Sequence, residues 1–230
     1  MRQEIRIISL LLPFRLGRVN CYLVKEENGC ILIDTGCSNR RAYLQKELES
    51  SDCRSGQLKL VILTHGDFDH SGNAAYLRRE FSTIIAMHHD DLGMVERGDM
   101  FWNREKSNIL VKILASTVSG FGKSERLKPD IYIDDGDDLS QYGFDARVLH
   151  LPGHSKGSIG ILTARGDLFC GDLLENTGKP GLNSVLDAPE IAKVSLEKLN
   201  SLGIKTVYPG HGKPFQMEVL TKNRLERRVA

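Results

Sequence analysis

Thr64-His65-Gly66-Asp67-Phe68-Asp69-His70 directly follows the apolar stretch Leu58 to Leu63. Within six residues it presents four side chains able to bind a metal: His65, Asp67, Asp69 and His70. Leu58 to Leu63 reads as a short buried strand and Gly66 as a turn residue, so the ligands sit where a strand gives way to a loop. By itself the run also fits an ordinary solvated loop end. The rest of the chain decides between the two.

Downstream, candidate ligands recur in comparable places. His154 stands in Leu151-Pro152-Gly153-His154, Asp172 in Phe169-Cys170-Gly171-Asp172 and His211 in Tyr208-Pro209-Gly210-His211-Gly212. Each is expected just beyond a strand and beside a glycine that lets backbone approach closely. Five of the seven histidines fall at such strand ends, counting His150 in the strand that leads to the second site. Imidazole mixed with carboxylate suits Zn, Mn or Fe, whereas thiolate-rich sets select zinc more narrowly. Two such ions about 3.5 Å apart can share a water, lower its pKa and clamp both attacking and leaving oxygens.

Between these motifs, Ile5 to Leu12, Asn20 to Lys25 and Cys30 to Asp34 read as antiparallel strands with short turns such as Glu27-Asn28-Gly29. Asn39 to Ser51 has the periodicity of an amphipathic helix. Leu58 to Leu63, a helix over Gly72 to Arg79 and a strand over Thr83 to Met87 make a βαβ unit. Strands are expected at Asp130 to Ile133, Ala146 to Leu151, Ser158 to Thr163, Asp167 to Cys170 and Thr206 to Tyr208. Helices are expected at Glu190 to Leu202 and Phe215 to Arg228. Residues 90–127 are apolar but irregular and read as a mainly helical insertion over one face of the core, with a role as a cover for a cleft left open. The element order suits one α/β domain over residues 1–230, with two sheets and outer helices, better than an alternating doubly wound sheet.

Composition narrows the functional classes. Charged residues are 27% and hydrophobic ones 40%, a globular composition, and the formal net charge of +1 gives no global case for nucleic acid or an acidic membrane as partner. The five cysteines form no C-x-x-C pair and read as buried thiols, which with the lack of a signal peptide or an 18-residue apolar run points to the cytoplasm. A small-molecule substrate is expected, and self-association into a homo-oligomer is left open.

The signature His65-x-Asp67-x-Asp69-His70, followed in order by His154, Asp172 and His211 and preceded by Ile33-Asp34-Thr35-Gly36, resembles the metallo-β-lactamase fold superfamily of dinuclear hydrolases over residues from about 20 to 214. The resemblance implies a four-layer αββα sandwich with two divalent ions between its halves. One ion would be held by His65, Asp67 and His154, the other by Asp69, His70 and His211, with Asp172 bridging. Asp34 would orient a ligand histidine without binding metal. It further implies hydrolysis by a hydroxide shared between the ions, with Asp69 holding the nucleophile and accepting its proton, on a small ester, thioester, lactone or phosphoester. The departure is Asp67, where the commonest pattern has histidine. More anionic oxygen suits harder ions, so Mn or Fe is expected to compete with Zn.

Only residues 212–230 follow His211, which on this sequence leaves no room for the helical C-terminal domain of glyoxalase-II-type thioesterases or for the flavodoxin domain of flavo-diiron oxygen reductases. A phosphodiesterase or nuclease, a di-iron redox protein, and a metal-dependent binding or regulatory protein with little hydrolysis are the alternatives. His88, His89 and Lys156 are candidate substrate-facing residues, although a surface or capping role is the default for each.

Overall fold

The computed structural model describes residues 4–104 and 123–220. Six strands form the first sheet: β1 (Glu4–Leu11), β2 (Arg18–Glu26), β3 (Gly29–Ile33), β4 (Leu58–Ile62), β5 (Ile84–Met87) and β6 (Ile131–Tyr132), in that spatial order. β1 to β3 are antiparallel and β3 to β6 parallel. The second sheet runs β12-β11-β9-β8-β7, from β7 (Ala146–His150), β8 (Ile159–Thr163), β9 (Asp167–Asn176), β11 (Thr206–Gly212) and β12 (Phe215–Gln216), with β10 (Gly181–Leu182) paired to β9.

Period-2 alternation gives the central strands two buried faces. On β2, β3 and β4 the residues Val24, Ile31, Ile33, Leu60 and Ile62 face the second sheet, where Ala146, Val148, Ile159, Ile161 and Phe169 meet them. Their alternates Leu23, Leu32 and Val61 pack outward against Leu44 and Leu48 of α1 (Arg41–Glu49) and Leu77 and Phe81 of α3 (Ala74–Phe81). On the far side Leu149, Leu162, Leu168 and Cys170 pack under Ala192, Leu196 and Leu199 of the last helix, Pro189–Leu199. Helix, sheet, sheet, helix is therefore the layer order, the expected αββα sandwich.

Two short helices complete the described set: α2 (Phe68–Ser71), which directly precedes α3, and α4 (Leu92–Arg97). The Pro189–Leu199 helix is accordingly α5. Pro at its first turn fits the sequence reading, although it stops three residues short of Leu202.

Some expectations are corrected. Phe215 does not start a helix: Phe215–Gln216 is an edge strand on Thr206–Val207, because burying the Phe215 ring against Val207 and Leu168 outweighs local helix propensity. Residues 218–220 are helical and 221–230 lie outside the described residues. β9 and β11 run through the positions taken as strand ends, to Asn176 and Gly212. Gly171, at a φ of +51°, and a register shift at Pro209 let these strands bend without stopping. Of the insertion, α4 is a six-residue helix, while 105–122 lie outside the described residues. All five cysteines are buried free thiols. No helix among the described residues is long and apolar enough to cross a membrane.

Candidate metal centre

The sheets meet at one end of the sandwich, where the Thr64 carbonyl just past β4 accepts from Ile159 N of β8 at 2.8 Å. A Cβ on Gly171 would stand 2.6 Å from Thr64 Oγ1, so only glycine lets β9 come this close. Asn20 Nδ2 and Tyr22 Oη of β2 both bond the Pro209 carbonyl of β11, fixing the other side of the seam. His65, Asp67, Asp69 and His70 project from the first sheet into this seam, and His154, Asp172 and His211 from the second.

Each of the four imidazoles is aimed by its own acceptor on Nδ1. His70 Nδ1 donates to Asp34 Oδ2 at 2.8 Å, His154 Nδ1 to the Val185 carbonyl at 2.7 Å and His211 Nδ1 to the Arg18 carbonyl at 2.8 Å. His65 Nδ1 lies 3.0 Å from Thr64 Oγ1, whose proton is engaged by Asp34 Oδ2 at 2.8 Å. With Nδ1 holding the proton, all four Nε2 lone pairs turn inward. Asp34 also accepts from Thr64 N at 2.8 Å and holds a φ of +59°, a strained backbone that aspartate tolerates better than most residues. It thus touches both His70 and Thr64.

The inward atoms form two groups. His65, His154 and Asp172 present ligand atoms within 4.8 Å of one another, and so do Asp69, His70 and His211. Asp172 faces both: its Oδ1 is 3.4 Å from His70 Nε2, and its Oδ2 is 3.2 Å from His211 Nε2 and 3.9 Å from His154 Nε2. Gly210 makes room for it, since a Cβ there would collide with Asp172 Oδ1. Asp67 Oδ2 lies 3.0 Å from His154 Nε2 and 3.6 Å from His65 Nε2, and Asp69 Oδ2 lies 3.5 Å from His211 Nε2.

The donor chemistry fits a pair of divalent ions. Buried His65 Nε2, His70 Nε2, Asp67 Oδ1 and Asp172 Oδ1 have no hydrogen-bond partner, an arrangement that is costly unless a cation completes it. Without one, carboxylates and imidazoles share protons. Burial pushes His70 down, but Asp172, Asp34 and Asp69 outweigh it and raise it to about 9. In the same way Asp67 and Asp172 raise His154 to about 8, and Asp172 and Asp69 raise His211 to about 12. Burial opposes ionisation of Asp67, yet Arg104 and the histidines hold it well below the usual carboxylate range.

Two residues here carry no sequence signal. Asp91, fully buried immediately before α4, accepts from Gly66 N at 3.1 Å, Ser155 Oγ at 2.6 Å and Gly157 N at 2.9 Å, tying the His65 loop to the His154 loop. Arg104 pairs with Asp67 and Asp187. The candidate substrate-facing residues lie elsewhere. His88 is buried, with Nδ1 accepting from Asp90 N and Nε2 at 3.2 Å from Asp134, and it stacks on His150. His89 is exposed beside Asp90, and Lys156 Nζ reaches Asn103. His88, His89, Asp90, Asp134 and His150 form a cluster of their own, apart from the seam.

A two-sheet sandwich with seven histidine and aspartate side chains able to take a metal converging where the sheets meet defines a metal-dependent hydrolase. The chain belongs to the metallo-beta-lactamase superfamily, whose profile matches residues 14–211. Among its relatives, the hydroxyacylglutathione hydrolase GloC of Haemophilus influenzae is 30% identical over 173 residues, covering 73% of this chain and 72% of that protein. The acyl-coenzyme A thioesterase MBLAC2 of Homo sapiens is 26% identical over 225 residues, covering 89% of this chain and 76% of that protein. Among solved structures, TTHA1623 in a di-iron-bound form superposes with a TM-score of 0.70 at 26% identity, over 94% of this chain and 97% of that one.

Proposed function

We propose that the chain hydrolyses a small thioester at a centre holding two divalent ions. His65, Asp67 and His154 would hold one ion and Asp69, His70 and His211 the other, with Asp172 shared. The observation that carries the reading is the four Nε2 atoms aimed at one another by Nδ1 acceptors, three of them on buried histidines and two with no other partner. The thioester class is supported by the two relatives whose names specify acyl-coenzyme A and hydroxyacylglutathione as substrates.

When bound, such ions supply Lewis acidity toward the carbonyl and lower the pKa of a water. Asp69 sits at the edge of the cluster, its Oδ2 3.8 Å from His70 Nε2, where its carboxylate can hold a water and take its proton. His70 and His154, held by Asp34 and Val185, keep their rings fixed while charge develops. The oxygen-rich donor set and the di-iron form of TTHA1623 favour Fe or Mn over a zinc-only centre.

The test is a substrate panel with Zn, Mn and Fe(II) each added back to metal-free protein: an acyl-coenzyme A, an acylglutathione, a lactone, a phosphodiester and a β-lactam. A thioester should exceed the others in kcat/KM by about tenfold or more. Preference for the phosphodiester or β-lactam refutes the thioester reading, and tight ligand binding without turnover refutes hydrolysis.

A further inference from the structure

Asp67 is claimed from two sides. On one, its Oδ2 faces His154 Nε2 at 3.0 Å and His65 Nε2 at 3.6 Å, the direction from which an ion would be held. On the other stands the Arg104 guanidinium, only 9% exposed, with Nη2 2.9 Å from Asp67 Oδ1 and 3.1 Å from Oδ2. The aligned hydrogen bond goes to Oδ2; the contact with Oδ1 is close but not aligned. The oxygen that an ion shared with His65 and His154 would use is therefore the one Arg104 already occupies. Nε of the same guanidinium lies 2.9 Å from Asp187 Oδ2, an ion-pair contact without hydrogen-bond alignment that gives Arg104 a second, purely electrostatic anchor beside the site.

The other half of the centre is built differently. Among the described residues, Asp69 and Asp172 pair with histidines and with no lysine or arginine. One half thus carries a fixed positive charge against its terminal carboxylate and the other does not.

We infer that Arg104 is a built-in competitor for the Asp67 carboxylate, which makes the ion held by His65, Asp67 and His154 the weaker and more readily exchanged of the two. This rests on the two-ion reading above. Two effects of Arg104 oppose each other. It could strengthen binding by orienting Asp67, or weaken it by repelling the ion and drawing density from Oδ2. The Asp67 backbone is fixed without Arg104, since its carbonyl accepts from His70 N, Ser71 N and Ser71 Oγ at the start of α2, and its carboxylate already faces His154 Nε2 at 3.0 Å. Repulsion is left as the larger effect, because a guanidinium in hydrogen-bond contact with a ligand oxygen stands within a few ångströms of the ion, in a site with little water. Arg104 also offsets the negative charge that aspartate brings where the commonest superfamily pattern has histidine, so the two residues work as a unit.

The experiment is titration of metal-free protein with Zn or Mn against a chromophoric chelator, which reads stoichiometry and both dissociation constants without any substrate. Wild type should bind two ions with constants separated by about tenfold or more. Asp67→Asn should abolish the weaker step only. Arg104→Gln should tighten the weaker step by about tenfold and leave the tighter one within about threefold, while Arg104→Lys keeps the separation. Should Arg104→Gln fail to fold, Asp187→Asn serves instead: with its second anchor neutral, Arg104 leans harder on Asp67 and weakens that ion several-fold. An Arg104→Gln protein whose weaker step is unchanged or weaker still, or an Asp187→Asn protein whose weaker step is tighter, overturns the inference and makes Arg104 a strut for Asp67. Absence of any bound ion in wild type would instead overturn the two-ion reading.

Discussion

Replacing Asp91 by alanine removes a side chain that joins the His65 loop to the His154 loop. Its carboxylate takes three donors in a site sealed from solvent: Gly66 N, Gly157 N and Ser155 Oγ. The Ser155 hydroxyl can turn to Ser158 Oγ, already 2.7 Å away, so its loss is partly recovered. The two backbone N–H groups have no such alternative. At about 1–3 kcal/mol for each buried donor left unpaired, Asp91→Ala should cost about 3–4 kcal/mol. Asp91→Asn keeps one acceptor oxygen but sets an NH2 against a donor, and should fall between. Urea unfolding of metal-free protein measures the cost, with the m-value checking that the unfolded state is unchanged. Chelator titration of the same variant should show the ion of the His65 and His154 half weakened more than that of the His70 and His211 half. A loss under about 1 kcal/mol, or equal weakening of both ions, would refute the view that Asp91 holds the two loops in register.

Asp34→Ala strips the acceptor from His70 Nδ1 and from Thr64 N together. It should weaken ion binding at the His70 half by about 10–100-fold, read by dialysis and elemental analysis. In metal-free protein, His70 and His154 are raised above the ordinary histidine value to about 9 and about 8. A group raised on folding stabilises fully below about pH 6.5 and loses that contribution as pH climbs through its folded value. The urea midpoint of chelator-treated protein should therefore drop between pH 6.5 and 9.5, by a few kcal/mol in stability; a flat or rising midpoint contradicts the proton-sharing picture.

Much of the architecture is legible in the sequence because it is written locally. Alternation in Leu58 to Leu63 and in Cys30 to Asp34 dictates two buried faces, and two buried faces demand a layer on each side. The candidate ligands are legible for the same reason: each stands in a short strand-to-loop motif with a glycine. What escaped has its meaning at long range. Asp91 is one acid in His88-His89-Asp90-Asp91 until the fold brings Gly66 and Gly157 to it, and Arg104 is one cation in an irregular segment until Asp67 and Asp187 close on it. His88 stands at a strand end much as His65 does, but it takes the capping role that is its default, its Nδ1 accepting from Asp90 N. The bonds to Asp90 and Asp134 that commit both its nitrogens are invisible in sequence. Gly171-Asp172 reads as the end of a strand although β9 bends there and continues, because pairing to β11 and to β10 sustains the strand on either side.

The four acceptors that aim the imidazoles are not chemically alike. Val185 and Arg18 contribute neutral carbonyls and Thr64 a hydroxyl, while only His70 leans on a carboxylate, that of Asp34. An anionic acceptor makes the opposite nitrogen a stronger electron donor, so one imidazole of the four is electronically richer than the rest. Because all four rings are locked by the protein itself, their conformational freedom is surrendered during folding and not at ion uptake. Capture of an ion would then reorganise the rings little, in contrast to small domains that fold only around their metal.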